Sequence, residues 1–294
     1  MAKTFRSKTY ETDRIVIEVD IINLCNYHCW YCYARKRKDL WNRIMSIKDI
    51  KFIASKIRKY QGRVDINLLG GEPFMHPKIK EILDIFSSLE NVGEVNITTN
   101  ASRIKDYNIL NGDKININVS FHPSEIKDFD KFYHTLDDLY SIGKLNTVTV
   151  MMDSIDLLPK IEELITYQKK YPETLFEQHY PMGDNRKLNI SETTDKISFE
   201  KNFEVDGKLL SYDEVIRGKH NQFKGWKCKV QRYRVMINGD IVENCIVNGN
   251  IFKDYNFVDH TMVCSYDQCV EYITLNLEKY NEDKKNNEEQ NPQR

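Results

Sequence analysis

The chain has 294 residues, 40% of them hydrophobic, which suffices for one large domain or for a domain with a small annex. Its 43 basic and 44 acidic side chains nearly cancel, so there is no electrostatic footprint for nucleic acid or for a membrane surface. The polar start MAKTFRSKTYETD is no signal peptide, and no run approaches the roughly 18 apolar residues of a spanning helix.

These exclusions point to the cytoplasm, where the seven cysteines read as metal ligands or reactive thiols rather than disulfides. From residue 14 onward, strand-like runs alternate with helical ones. Strands are expected at 14–21, 64–70, 94–100, 114–121, 146–153 and 174–180, most of them rich in β-branched residues. The stretch 46–60 puts Ile47, Ile50, Ile53, Ala54 and Ile57 on one helical face behind a Ser46 N-cap. Similar amphipathic stretches cover 76–89 and 155–171, and another at 127–144 ends near Gly143 as a C-cap. Six strands in βαβ order with right-handed crossovers predict an α/β fold, a partial (β/α)6 TIM-like barrel.

The pattern breaks after Pro181. Residues 182–225 read as an irregular connecting or capping segment, with a possible hairpin around 205–208. Residues 233–245 form two apolar strands around Asn238-Gly239, a two-residue hairpin signal. A small cysteine-rich annex built on that hairpin is expected over 226–278, and 279–294 is charged, poor in apolar residues and expected to be disordered.

The first strand runs directly into CNYHCWYC, with Cys25, Cys29 and Cys32 at the end where β/α folds place their sites. Spacing alone also admits a structural zinc site with His28 as the fourth ligand. Two further features stand at strand ends: Gly70-Gly71-Glu72-Pro73 after the second strand and Thr99-Asn100 after the third. With the three cysteines, they resemble the signature of the radical S-adenosylmethionine (radical SAM) superfamily, and the resemblance covers 14–180.

That resemblance implies that Cys25, Cys29 and Cys32 hold three irons of a [4Fe–4S] cluster, with the fourth left to the methionine part of S-adenosylmethionine. It implies reductive cleavage to a 5′-deoxyadenosyl radical, hydrogen abstraction from a substrate, and an external one-electron donor such as flavodoxin or ferredoxin. Gly70, Gly71, Glu72 and Pro73 would receive the methionine ammonium, the glycines letting backbone approach and Glu72 offering a counter-charge. Tyr31 would pack near adenine, Asn100 would face the cosubstrate and Ser120 would meet the ribose. The sequence departs from the family at SFHP in the fourth strand, and TVTVMMDS in the fifth lacks a Gly-containing adenine motif.

Cys228, Cys245, Cys264 and Cys269 remain. The segment around Cys228 and Cys245 is similar to the opening of the SPASM and shorter Twitch annexes, with one extra residue after Gly239. Four thiolates are too few for two clusters, so the resemblance implies one auxiliary [4Fe–4S] cluster, closed and suited to electron transfer. A structural zinc site of four thiolates is the alternative. His122, Asp153 and His179 fall near strand ends and read as rim residues as readily as substrate contacts. Arg232 and Arg234 read as solvated or as binders of an acidic group, and Trp30 and Trp226 as shields for clusters.

Three functions follow. A radical SAM enzyme could modify a ribosomally made peptide, or it could dehydrogenate or rearrange a small molecule such as an aminosugar. A zinc-stabilised module would do no catalysis. With 24 residues before Cys25, no fused leader-peptide-binding domain is expected there.

Overall fold

The computed structural model describes residues 5–7, 14–32, 38–153, 155–181, 201–269 and 275–280. Residues 182–200 of the expected connecting segment and 281–294 of the expected disordered tail lie outside them. The chain divides into two compact units: 14–198 with 232–257, and 1–13 with 199–231 and 258–294.

After a short strand β1 (Phe5–Ser7), the larger unit opens with β2 (Arg14–Ile22) and α1 (Ile47–Arg58), then β3 (Arg63–Gly70) and α2 (Ile79–Ser87). It continues through β4 (Val92–Thr99), β5 (Ile115–Phe121), α3 (Phe129–Ser141), β6 (Leu145–Met151), α4 (Leu158–Gln168) and β7 (Leu175–His179). Strands β2 to β7 pair in sequence order, every pair parallel. This is the partial barrel that the alternating pattern predicts. Ser46 caps α1 by accepting from Asp49 N, and Ile50, Ile53, Ala54 and Ile57 are buried along one face. Gly143 follows α3 at φ +68°, the left-handed conformation that ends a helix.

Alternate residues divide the sheet into two unlike faces. One carries Ile15, Ile17, Val19 and Ile21 with Ile66, Leu68, Val95, Ile97, Ile117 and Val119, all essentially inaccessible. On the other, Glu18, Asn67, Asn96 and Asn116 stand in register across four neighbouring strands. Ser120 lies on this polar face, opposite Thr149. A polar face is an environment for a polar ligand, unlike the apolar layers that fill a closed barrel.

Beyond β2 the sheet extends in a way that local patterns do not show. The smaller unit's β8 (Phe203–Val205), β9 (Lys208–Leu210), α5 (Tyr212–Arg217) and β10 (Lys227–Val230) come first in the chain. Then β11 (Arg232–Val235), β12 (Asp240–Glu243) and β13 (Ile246–Asn250) join the barrel sheet, β11 running parallel beside β2. Nine strands result, in the order β13-β12-β11-β2-β3-β4-β5-β6-β7. The turn between β11 and β12 has three residues rather than two. Met236 N donates to Asp240 O, Gly239 N to Met236 O, and Gly239 takes φ +87°.

Arg232 and Arg234 are not solvated. Arg232 Nη2 lies 2.7 Å from Glu18 Oε2, both side chains buried, and Arg234 Nη2 lies 2.8 Å from Asp20 Oδ1. Residues 18 and 20 of β2 and 232 and 234 of β11 project to the same face, so two ion pairs join the added strand to the barrel. Arg232→Met leaves Glu18 buried without its cation and costs roughly 3 kcal/mol, measured by urea denaturation. An unchanged midpoint would show that the pair contributes nothing.

The smaller unit pairs β1-β8-β9 antiparallel, Asp206 and Gly207 forming the tight turn expected around 205–208. There β10 lies between β14 (His260–Val263) and β15 (Lys279–Tyr280), antiparallel to both. Among the described residues, no helix is long and apolar enough to cross a membrane.

Candidate active site at the cysteine loop

Cys25, Cys29 and Cys32 lie on the loop that leaves the C-terminal end of β2. Its position is fixed from below by the glycines. Gly71 N donates to Ile22 O (2.5 Å) and Glu72 N to Leu24 O (2.9 Å). A Cβ on Gly70 would stand 1.9 Å from Ile22 O, and one on Gly71 would stand 2.2 Å from Leu24 O. Gly70 is also at φ +132°. The glycines therefore serve a backbone-to-backbone approach that seats the cysteine loop on the end of β3.

Glu72 completes the clamp. Its carboxylate is fully enclosed and accepts from Thr99 Oγ1 (2.7 Å), Phe74 N (3.1 Å) and Asn100 N (2.9 Å). Burial raises its pKa, and those three hydrogen bonds oppose the rise. The expected counter-charge thus stands inside the protein and ties the end of β3 to the end of β4. Pro73 opens the short 3-10 helix Pro73–Met75, with Glu72 as its N-cap.

Asn100 reaches the loop directly. Its Nδ2 lies 3.8 Å from Cys25 Sγ and 3.3 Å from Asn26 Oδ1, while Asn26 Nδ2 donates to Ser102 Oγ (2.9 Å). Tyr27 N also points at Cys25 Sγ (3.4 Å). Burial pushes the Cys25 thiol up to about 11 and the Cys29 thiol up to about 12. A bound cation inverts that preference, because a coordinating thiol gives up its proton.

Tyr31 sits in a polar network. Its hydroxyl lies 2.6 Å from His122 Nδ1 and 3.3 Å from Asp153 Oδ2, and Ser124 Oγ donates to the same Asp153 oxygen (2.5 Å). The Tyr27 ring meets His122 edge-on at 6.0 Å. Packing lowers His122 to about 4, so its ring is neutral, and burial raises Asp153. His122 and Asp153 are therefore partners of the aromatic residue beside Cys32, and His179 stands apart beside Glu177. Trp30 is 54% exposed, too open to shield a cluster.

Asn26, Ser102, Ser124 and Glu125 carry no motif and escape a reading by spacing. Only their contacts identify them, including the 2.8 Å bond from His28 N to Glu125 Oε2. Of the second cysteine set, Cys228, Cys264 and Cys269 lie in the smaller unit and Cys245 in the larger. Cys228 pairs with Met262 across β10 and β14, while Cys269 N donates to Asn221 O and Cys269 O accepts from Asn221 Nδ2. Among the described residues, no three His, Cys, Asp or Glu side chains converge on a single ion position.

The donor set of the first loop suits an iron–sulfur cluster. Three soft thiols share one short loop, two N–H groups point at a sulfur, and a rigid backbone seat lies beneath.

Comparison with known proteins agrees. Residues 19–120 match the family model described as Radical SAM superfamily. GTP 3′,8-cyclase of Clostridium perfringens (strain SM101 / Type A) is 26% identical over 238 residues, covering 73% of this chain and 71% of that protein. In fold, the chain is similar to anSMEcpe with bound AdoMet, at TM-score 0.55 and 14% identity, over 82% of this chain and 78% of that one. It is also similar to Streptococcus suis SuiB bound to precursor peptide SuiA, at TM-score 0.55 and 17% identity, over 84% of this chain. The match spans 62% of SuiB.

Proposed function

From the radical SAM domain that the chain carries over residues 19–120, we propose an enzyme that cleaves S-adenosylmethionine reductively and abstracts a hydrogen atom from a peptide. The observation that carries this reading is the seating of Cys25, Cys29 and Cys32 on the Gly70-Gly71-Glu72 clamp at the barrel's C-terminal end. When bound, cluster and cosubstrate supply one-electron cleavage of a carbon–sulfur bond and a hydrogen-abstracting radical. The chain's own residues bind and orient. Cys25, Cys29 and Cys32 would hold iron, and Asn100 and the Tyr27 amide would donate toward the Cys25 sulfur. Ser120 on the polar face would meet the ribose, and Tyr31, fixed by His122 and Asp153, would flank the adenine. Cys228, Cys245, Cys264 and Cys269 would carry one auxiliary [4Fe–4S] cluster for electron transfer, within the residues 226–278 proposed as a Twitch-like annex.

The peptide is supported by the fold of SuiB, solved with its precursor peptide. A second reading, a small-molecule substrate such as a nucleotide, is favoured by the sequence similarity to GTP 3′,8-cyclase. Mass spectrometry separates them. Turnover with a short peptide encoded beside the gene should alter the peptide mass and accelerate 5′-deoxyadenosine release, while GTP stays intact. Consumption of GTP with the peptide unchanged would overturn the peptide reading.

A further inference from the structure

The arginines that β2 and β11 place on the polar face of the barrel sheet are each matched by a carboxylate. Arg14 pairs with Asp65, Arg232 with Glu18 and Arg234 with Asp20. Glu177 of β7 has no such match. Its side chain is only 17% exposed, yet no Lys or Arg among the described residues pairs with it. Beside it stands His179, whose Nε2 lies 3.6 Å from Glu177 Oε2, beyond hydrogen-bond reach and charged only when protonated. A carboxylate so enclosed is costly without a cation, and the chain's described residues do not supply one.

Orphaned oxygens elsewhere on this face share its character. Glu18 Oε1 and Asn96 Oδ1 are buried and have no hydrogen-bond donor. Both are acceptors, so a ligand suited to this face brings N–H groups. The register sets Glu177 opposite Thr149, and Thr149 opposite Ser120. With neighbouring strands about 4.8 Å apart, Glu177 stands roughly 10 Å from Ser120, the residue proposed above to meet the ribose. A molecule held at Glu177 therefore lies beside the proposed cosubstrate position.

We infer that Glu177 selects the substrate, taking the protonated nitrogen of a lysine or arginine side chain carried by the peptide. The inference rests on the peptide reading above and adds the residue type that the peptide must present. An ion pair formed in this enclosure is stronger than one at the open surface. The same carboxylate opposes the phosphates of a nucleotide. Glu177 is thus a specificity residue, and no bond is made or broken at it.

The test is affinity selection from a synthetic random hexapeptide library by the iron-loaded full chain, under anaerobic conditions, with the retained peptides sequenced by mass spectrometry. Wild type should enrich peptides that contain Lys or Arg. Glu177→Gln should lose that enrichment and bind the best basic peptide roughly tenfold more weakly, or worse. Glu177→Lys should favour Asp and Glu instead, an inversion that a loss of packing cannot produce. Iron content and melting temperature of E177Q should match wild type. Equal enrichment of basic peptides by wild type and E177Q, or a wild type that retains peptides without basic residues, would overturn the role of Glu177 alone. A wild type that retains no peptide and consumes GTP would overturn the peptide reading, and this inference with it.

Discussion

Serine in place of Cys25, Cys29 and Cys32 together is expected to abolish 5′-deoxyadenosine formation and to lower bound iron, to about half if the proposed auxiliary cluster holds an equal share. The reason lies in the donor atoms. A serine hydroxyl is a harder and far weaker acid than a thiol, so it neither sheds its proton to iron nor matches its softness. The thiols are themselves poised against ionisation, Cys25 at about 11 and Cys29 at about 12, chiefly through burial. In the metal-free protein they therefore hold their protons at neutral pH. Iron binding must expel those protons, so uptake by the apoprotein should strengthen as pH rises toward the thiol pKa values and weaken as it falls. Retained 5′-deoxyadenosine formation in the triple variant would contradict these ligands.

Gly70→Ala should be nearly as damaging, though it replaces none of the cysteines. The added methyl would lie 1.9 Å from Ile22 O, a backbone atom that cannot swing aside as a side chain would. At φ +132° the alanine is strained even without that overlap. Each effect costs about 1–3 kcal/mol, so a loss on the order of 4 kcal/mol is expected. The strain falls where β2 hands the chain to the cysteine loop, so the melting temperature and iron content should drop together. A variant that loads iron normally and melts with wild type would show that the loop does not depend on this seat.

The barrel was legible because its information is local. Six β-branched runs alternate with amphipathic stretches, and Ile50, Ile53, Ala54 and Ile57 share a face through the 3.6-residue period alone. The loop CNYHCWYC and the run Gly70-Gly71-Glu72-Pro73 were legible as motifs. What the glycines do was not, because the atoms they make room for, Ile22 O and Leu24 O, lie far off in sequence. The pairing of β11 with β2 was hidden for the same reason. Arg232 and Glu18 are 214 positions apart, and neither carries a local sign of its partner. A charged residue in a strand reads as solvent-facing until its counter-ion is located. The network of Tyr31, His122, Asp153 and Ser124 collects residues from three separate strand ends, so only the folded chain assembles it.

The proposed function turns on what the cysteine loop does to S-adenosylmethionine, and one measurement reads that directly. Anaerobically purified, iron-loaded protein is mixed with S-adenosylmethionine and a one-electron reductant, and 5′-deoxyadenosine is quantified by liquid chromatography. A brown protein that releases 5′-deoxyadenosine only when reduced is the predicted result. A colourless protein that carries zinc, holds no iron and leaves S-adenosylmethionine intact would contradict it.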